Sequence, residues 1–316
     1  MADPSNPPIA IRAAARSDVG MRRPANQDAI AILPKPNGQP HVGDVFLMVA
    51  DGMGGHAAGE IASRIAVETI PPAFCKAEGR SAPSALRHAV QAANTRINSK
   101  GAECSDHHDM GTTCSCLVLS RGAGLVAHVG DSRVYRLRDG VLEQLTFDHS
   151  LVWELAAASD VSEDKVPSYI PKNVITRSLG PKATVQVDIE GPQELRPGDV
   201  FLLCSDGLSG VVEDPVIGGV LATLEPDAAA EALVDFANLG GGPDNVSVVV
   251  ARVEACDSKT PACPTTKSWL HWPWAVVAAV ACLAACGWFL VQGEVTGTIA
   301  SAICLGASIV AALASR

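Results

Sequence analysis

The sequence predicts an α+β fold in which antiparallel β-sheets are packed with helices on the outside. Short β-rich runs follow one another with only short turns between them, which is typical of antiparallel meanders. The two clearest helices come as a pair between groups of strands, and not after every strand as in a doubly wound parallel sheet. The chain has 316 residues, of which 47% are hydrophobic, which is enough for one large domain or two small ones.

Eight strands are predicted from short apolar runs, whose length indicates strands with buried faces. They are residues 29–33, 45–50, 114–119, 125–129, 134–137, 185–189, 200–204 and 246–253.

The first helix is predicted over about residues 57–70, where apolar residues recur every four positions and Pro71 and Pro72 follow. The second is predicted over about 84–100, with Gly101 as its C-terminal cap.

Two further helices are predicted from their first residues. One follows Asp214 and Pro215, a capping residue with proline at the first helical position, and the other follows Asp227. Residues 147–180 carry polar residues, prolines and a short helix, and they are expected to form a flap.

The composition divides the chain into four parts. Residues 1–8 are polar and proline-rich, and we expect them to be disordered. They lack an apolar signal core, so the following domain is expected to stay in the cytosol. Residues 9–254 have the pattern of one continuous α+β domain, and residues 255–272 that of a linker.

The fourth part, residues 273–315, predicts two transmembrane helices over about 273–291 and 295–315. Each stretch is uncharged, and about 20 residues at ~1.5 Å per residue span a hydrocarbon core of ~30 Å. The alternative is a pair of buried helices in a soluble protein.

The flanks of these stretches predict their orientation. A tryptophan cluster stands at the entry, as at a membrane interface, and Lys267 and Arg316 flank the pair on its outer sides. We therefore expect a helical hairpin in the inner (cytoplasmic) membrane with the main domain facing the cytosol.

Charge and cysteine content exclude two classes of protein. The net charge of -10 and the lack of a basic run argue against nucleic-acid binding, which needs Lys and Arg to neutralise phosphates. The ten cysteines include no C-x-x-C pair, so a structural zinc site is not expected. Reduced, buried thiols are the simpler interpretation.

Several aspartates stand where an apolar run ends. Asp51 directly follows residues 45–50. Asp206 follows residues 200–204 after Ser205, and Asp131 follows residues 125–129 after Gly130. Asp244 comes just before the last predicted strand. Carboxylates that converge at strand ends need a counter-charge, and a hard divalent cation is the natural one.

Seven motifs together resemble the metal-dependent protein phosphatase family, also called the protein phosphatase 2C family, and most of all its bacterial branch. The resemblance covers about residues 11–253. The motifs are Gly20-Met21-Arg22-Arg23-Pro24-Ala25-Asn26-Gln27-Asp28, Asp51-Gly52-Met53-Gly54-Gly55-His56, Gly111-Thr112-Thr113, Gly130-Asp131-Ser132-Arg133, Asn173-Val174-Ile175-Thr176-Arg177-Ser178-Leu179-Gly180, Ser205-Asp206-Gly207-Leu208 and Gly242-Pro243-Asp244-Asn245-Val246-Ser247.

The resemblance implies an α/β/β/α sandwich of two antiparallel sheets flanked by helices, with two Mn²⁺ or Mg²⁺ ions, and a third at a weaker site, in a cleft at one edge. It also implies the site residues. Asp51, Asp206 and Asp244 bind metal directly, Gly52 contributes its backbone carbonyl, Asp28 faces the metals directly or through water, Asp131 joins Asp206 at the third site, and Arg23 grips the substrate phosphate. The catalytic residues are then Arg23, Asp51, Asp206 and Asp244.

Each role has a simpler alternative. The aspartates could be ordinary turn residues, and Arg23 could pair with an acidic neighbour while Arg22 takes its place. Asn245-Val246-Ser247 also fits a glycosylation sequon, although a cytosolic metal site explains it better.

The chain departs from the family pattern at three positions. Gln27 stands where many members have Glu, and Gly210 where many have a further Asp, which puts the third metal in question. Met53 stands where the eukaryotic branch often has a histidine, and His56 cannot be assumed to replace it.

By resemblance, the function is that of a serine/threonine protein phosphatase that hydrolyses phosphoserine and phosphothreonine with a metal-activated water at the inner membrane. Its expected partners are phosphorylated proteins and a serine/threonine protein kinase counterpart. Two alternatives stay open: a non-catalytic binding module that kept the fold, and a hydrolase of small phosphoesters.

Overall fold

The computed structural model describes residues 9–37, 39–55, 57–77, 79–103, 109–120, 122–159, 161, 170–171 and 174–255. Within these ranges, no helix is both long and apolar enough to cross a membrane. The predicted N-terminal segment, the linker beyond residue 255 and the two predicted transmembrane helices lie outside the described residues, as do His56 and Asn173.

Two antiparallel sheets form the centre of the domain, as the sequence predicted. The first has the order β3-β1-β12-β11-β8-β9, and the second has the order β10-β7-β6-β4-β2, with β5 paired to β4. The strands are β1 Ala10–Asp18, β2 Asp28–Leu33, β3 His41–Val42, β4 Val45–Met53, β5 Gly111–Thr112, β6 Cys114–Ser120, β7 Ala123–Val129, β8 Arg133–Arg138, β9 Val141–Gln144, β10 Asp188–Glu194, β11 Val200–Cys204 and β12 Val246–Ala255.

Six helices cover or connect the sheets: α1 Ala58–Cys75, α2 Ala82–Ala102, α3 Leu151–Ser159, α4 Asp206–Ser209, α5 Asp214–Thr223 and α6 Pro226–Leu239. Helices α1 and α2 pack on the second sheet, where Met48 and Leu86 share one core. Helices α5 and α6 pack on the first sheet, where Leu202 and Leu233 share another.

A third core lies between the two sheets and joins their facing sides. Leu47 and Leu117 of the second sheet pack there with Phe201 and Val249 of the first. Strand β4 therefore buries both faces, because Met48 points to the helices while Leu47 points to the other sheet. This double burial explains the uninterrupted apolar runs in the sequence, which an exposed sheet face would have broken with polar residues.

The first helix ends later than the sequence predicted. We expected Pro71 and Pro72 to stop it at residue 70, but α1 continues to Cys75 with both prolines inside. A proline lacks its own N–H but keeps its carbonyl, and Pro72 O accepts a bond of 3.1 Å from Lys76 N.

Four strands carry no apolar run and were missed: β1, β3, β5 and β9. The first is the longest of them, and it pairs with β12 along its whole length although it contains Arg12 and Arg16. Strand β10 begins at Asp188, three residues after its predicted start.

Candidate metal centre

Two of the predicted ligands face each other across neighbouring strands. Asp28 is the first residue of β2, Asp51 lies on β4, and the antiparallel register makes them direct partners. Directly opposed residues of a strand pair project to the same face of the sheet, so both carboxylates are on one side. Asp51 is therefore a strand residue, and the alternative that it belongs to a turn is wrong.

The first sheet contributes Asp206 and Asp244. Asp206 begins α4 directly after Ser205, and Asp244 stands two residues before β12. Because β11 and β12 are antiparallel neighbours, the end of β11 lies beside the start of β12. The carboxyl groups of Asp206 and Asp51 are close enough to influence each other's pKa, so the edges of the two sheets meet here.

Asp131 completes the group from the turn between β7 and β8. Arg133, the first residue of β8, is the partner of Cys204 at the end of β11, so this turn also lies at the shared edge. Asp131 is buried, and the charge of Asp206 acts on it. The structure thus places Asp131 beside Asp206, where the resemblance to the family expected a third site.

Burial, and after it the neighbouring negative charges, raise the pKa of four of these carboxyl groups. Burial, followed by the charges of Asp28 and Asp206, holds the pKa of Asp51 well above its ordinary value. Burial and Asp244 raise that of Asp206. Burial raises the pKa of Asp28 to about 6, and burial with the charge of Asp206 raises that of Asp131 to about 7. Carboxyl groups with raised pKa values resist losing their protons unless a positive charge joins them.

Unpartnered oxygen atoms test whether a cation fits. Oδ1 of Asp28, of Asp131 and of Asp206 is buried and accepts no hydrogen bond within the described part of the chain. Such orphaned acceptors are costly, and an all-oxygen, anionic donor set is what Mg²⁺ and Mn²⁺ prefer. The residues therefore fit a hard divalent cation.

One predicted ligand points elsewhere. Asp244 Oδ2 accepts a bond of 2.6 Å from Arg23 Nη2, and its Oδ1 accepts one of 2.8 Å from Asn245 N. Across the described residues, no three His, Cys, Asp or Glu side chains are already arranged to hold one ion. Asp244 would have to leave Arg23 to become a ligand, and the alternative in which Arg23 pairs with an acidic neighbour is the arrangement present here.

Gly52 is held by close backbone packing. A Cβ on it would collide with the carbonyl groups of Gly59 and Gln27, so only glycine fits. Gln27 acts here through its backbone: its carbonyl accepts from Gly52 N at 3.2 Å and from the Ser63 hydroxyl at 2.6 Å. The absence of Glu at position 27 therefore leaves this backbone support intact.

The structure also shows the surroundings of the other two positions at which the chain departs from the family pattern. Gly210 follows α4, and its N–H donates to Asp206 O at 2.7 Å, so it supports a ligand without adding a carboxylate. Met53 lies at the end of β4, and its side chain is beside Gly111.

Asn245 was not predicted to have a structural role, and its side chain holds the loop between β1 and β2 at three points. Its side chain donates to Val19 O and Ala25 O and accepts from Gln27 N, all at 2.9 Å. Only 5% of the residue is exposed, so the glycosylation interpretation of this sequon is wrong for the folded domain. The motif Asp244-Asn245 was the available signal, but it did not reveal the contacts.

Thr112 and Thr113 hold the backbone of Asp51. The Thr113 hydroxyl accepts from Asp51 N at 2.8 Å, and the Thr112 hydroxyl donates to Asp51 O at 2.9 Å. Their motif was recognised in the sequence, but this function was not assigned to it.

Comparison with known proteins agrees with this geometry. The family model described as "Protein phosphatase 2C" matches residues 22–238. Protein phosphatase PhpP of Streptococcus pneumoniae is 34% identical over 247 residues, covering 77% of this chain and 98% of PhpP. The serine/threonine protein phosphatase PstP of Mycobacterium tuberculosis is 37% identical over 246 residues, covering 78% of this chain and 45% of PstP.

Solved structures show the same similarity. The crystal structure of the M. tuberculosis phosphatase PstP/Ppp has a TM-score of 0.70 at 36% identity, over 78% of this chain and all of that chain. The catalytic domain of PstP in complex with two manganese ions has a TM-score of 0.67 at 35% identity, with the same coverage of 78% and 100%.

Proposed function

The chain belongs to the protein phosphatase 2C family, and on that premise we propose that it hydrolyses phosphoserine and phosphothreonine on proteins at the carboxylate cluster described above. It is a metal-dependent serine/threonine protein phosphatase of the bacterial type. The observation that carries the proposal is the set of three buried, unpartnered carboxylate oxygens, on Asp28, Asp131 and Asp206, at the edge where the two sheets meet.

Mn²⁺ or Mg²⁺, two ions by analogy with the manganese-bound relative, would supply a water of lowered pKa and positive charge for the phosphate oxygens. Asp51, Asp206 and Asp244 are the proposed direct ligands, with Asp28 and the Gly52 carbonyl completing the set. Asp131 and Asp206 are the proposed holders of a third ion.

Arg23 is the proposed phosphate clamp. Its planar guanidinium can donate to two phosphate oxygens at once, and it stands at the rim of the cluster with half of its side chain exposed. The Asp244 carboxylate and a substrate phosphate compete for the same donors, so binding of substrate needs this ion pair to open. Exposed pairs of this kind contribute at most about 1 kcal/mol, so opening it costs little.

Turnover of a phosphothreonine peptide and of p-nitrophenyl phosphate tests the proposal. We expect hydrolysis of both with Mn²⁺, loss of both with EDTA, and a higher kcat/KM for the peptide. A non-catalytic module would turn over neither with any metal, and a small-phosphoester hydrolase would prefer p-nitrophenyl phosphate. Activity that survives exhaustive chelation would exclude the metal mechanism.

The proposal extends to the place of action, the inner membrane with the catalytic domain in the cytosol. Its support is sequence alone: two uncharged stretches of about 20 residues, 273–291 and 295–315, tryptophans at the entry, and Lys267 and Arg316 on the outer flanks. Tethering would restrict the enzyme to phosphoproteins at the inner membrane surface. By resemblance, a serine/threonine protein kinase is the counterpart that makes those substrates.

Reporter fusions test this topology. A reporter that works only outside the cytosol is fused at Gly293, in the predicted turn, and separately after Arg316. Activity at Gly293 and none at Arg316 is expected. The reverse pattern, or full-length protein found entirely in the soluble fraction, would contradict the hairpin.

A further inference from the structure

We propose that the buried hydroxyl group of Ser205, itself fixed by the backbone N–H of Ser247, holds the Asp28 carboxylate in the orientation in which it meets the cations. Ser205 is then a positioning residue of the phosphatase. This inference rests on the proposed function, since it takes Asp28 as a member of the cation site.

The Ser205 hydroxyl holds one oxygen of the Asp28 carboxylate. Ser205 Oγ donates to Asp28 Oδ2 at 2.8 Å. The other oxygen, Oδ1, is buried and accepts nothing from any residue that the structure describes. Asp28 is thus fixed through Oδ2, and its Oδ1 stays available to a cation.

The direction of each hydrogen bond follows from the chemistry of its members. Asn26 Nδ2 can only donate, so Ser17 Oγ accepts at 2.8 Å. The Ser17 hydrogen is then available for Ser247 Oγ, 2.7 Å away. Ser205 Oγ accepts from Ser247 N at 2.9 Å, which leaves its own hydrogen for Asp28. Ser205 is therefore the hydroxyl that donates to the carboxylate, and Ser17 holds Ser247 beside it.

The hydrogen-bond network around Asp28 returns to Asp28 and is shielded from water. Asn26 Oδ1 accepts from Asp28 N at 3.0 Å, so the chain of bonds returns to the backbone of Asp28. Ser205 and Ser247 are fully buried, so bulk solvent does not compete with Ser205 for the Asp28 carboxylate. Hydrogen bonds to an ionised carboxylate are about twice as strong as neutral ones, and a fully connected network restricts side-chain rotation.

A purely structural role is the competing explanation, because the same serines join strands. Ser17 and Ser247 are direct partners of β1 and β12, and Ser205 N donates to Ser247 O at 3.0 Å. A structural role would lower the stability of the domain without selectively changing its affinity for cations. It would also act equally whether or not Asp28 is present.

Mn²⁺ affinity of the full-length protein, measured from the EPR signal of free Mn²⁺, separates the two explanations. Ser205→Ala is the principal variant, because it removes the hydroxyl that donates to Asp28. It also leaves Ser247 N unpaired, and that cost is the same with or without Asp28. We expect Ser205→Ala to bind Mn²⁺ about tenfold more weakly than wild type, the loss of one charge-assisted hydrogen bond.

A double-mutant cycle shows whether the effect passes through Asp28. In an Asp28→Ala background, Ser205→Ala should weaken Mn²⁺ binding by less than about twofold, because no carboxylate remains to be oriented. Thr69→Val is the control. It removes a buried hydroxyl that accepts from Arg96 on the helical face, and Mn²⁺ affinity should stay at the wild-type value.

The outcomes decide the inference separately from the proposed function. Wild-type protein that binds no Mn²⁺ and hydrolyses nothing would overturn the proposed function. Wild-type binding with unchanged affinity in Ser205→Ala, or a full tenfold effect that persists without Asp28, would overturn only the inference. If Ser205→Ala does not fold, Ser205→Cys decides, because a thiol is a weaker donor than a hydroxyl. A loss of about threefold in Mn²⁺ affinity supports the inference, and unchanged affinity contradicts it.

Discussion

Arg23 Nη2 lies 2.6 Å from Asp244 Oδ2, so the residue expected to grip a substrate phosphate is bonded to a residue expected to hold a cation. This hydrogen bond is the main reason that the pKa of Arg23 lies above its ordinary value. The Asp244 carboxylate also lies near enough to Asp28 and Asp206 for its charge to act on them. In the proposed mechanism, this ion pair would couple phosphate recognition to cation binding.

Arg23→Ala should mainly raise KM for phosphorylated substrates, by roughly tenfold or more, because a clamp on the ground-state phosphate serves substrate and transition state alike. Steady-state kinetics at saturating Mn²⁺ measures this, with Arg22→Ala as the matched control. A loss confined to kcat would indicate a transition-state role, and an unaffected Arg23→Ala beside a defective Arg22→Ala would move the clamp to Arg22.

Asp206→Asn and Asp244→Asn should each lower kcat by at least about 100-fold while the domain stays folded, since each removes a ligand charge from the cation site. Asp206→Asn should also stabilise the metal-free protein, because burial and neighbouring charge raise the pKa of Asp206. Activity and urea unfolding measure the two effects, and the exposed Asp227→Asn is the control. Near-wild-type turnover in both variants at saturating metal would refute the ligand assignment.

Gly59→Ala should displace the Gly52 carbonyl and weaken Mn²⁺ binding by about tenfold or more. A Cβ at Gly59 would lie 2.6 Å from Gly52 O, a backbone atom that cannot rotate away. Gly55→Ala is the matched control, because a Cβ there meets no atom within 4 Å. Calorimetric titration with Mn²⁺ compares the two variants. Equal affinities would show that α1 does not support the Gly52 carbonyl.

His128 should make the domain less stable in acid. Burial, and then His149, lower its pKa from 6.5 to about 3, so the unfolded chain takes up a proton that the folded chain refuses. The stability from neutral His128 is complete above pH 6.5 and is lost as the pH falls toward 3. Between pH 7 and pH 5 the free energy of unfolding falls by about 2 kcal/mol because of this group.

Urea unfolding of wild type and His128→Gln across this pH range measures how steeply the free energy of unfolding of each protein changes with pH. The aspartate cluster titrates equally in both proteins and cancels in the comparison. Parallel pH profiles would show that His128 is not held neutral.

The sequence predicted most of the framework because the strands that matter here are buried on both faces. Residues 45–50 and 200–204 are apolar throughout, and their ends marked Asp51 and Asp206. Strand β1 was missed because Arg12 and Arg16 interrupt its apolar residues. Its position is fixed by pairing with β12, a contact between segments far apart in the chain.

The residues that support the site were harder to predict from the sequence than the aspartates expected to bind the cations. Aspartates followed by glycine stand out locally, whereas Ser17, Ser205 and Ser247 look like ordinary polar residues. The hydrogen bonds that connect them to one another, and through Ser205 to Asp28, depend on the register of the first-sheet strands. The pairing of Arg23 with Asp244 was one of several open alternatives, because spacing along the chain does not determine which of two nearby carboxylates an arginine reaches.

The central claim is that the carboxylate cluster at the meeting edges of the two sheets holds divalent cations. Anomalous diffraction at the manganese absorption edge, from crystals of the protein grown with Mn²⁺, tests it most directly. We expect at least two anomalous peaks among Asp51, Asp206 and Asp244, with Asp244 released from Arg23. A cluster without any peak in protein that is catalytically active with Mn²⁺ would contradict the account.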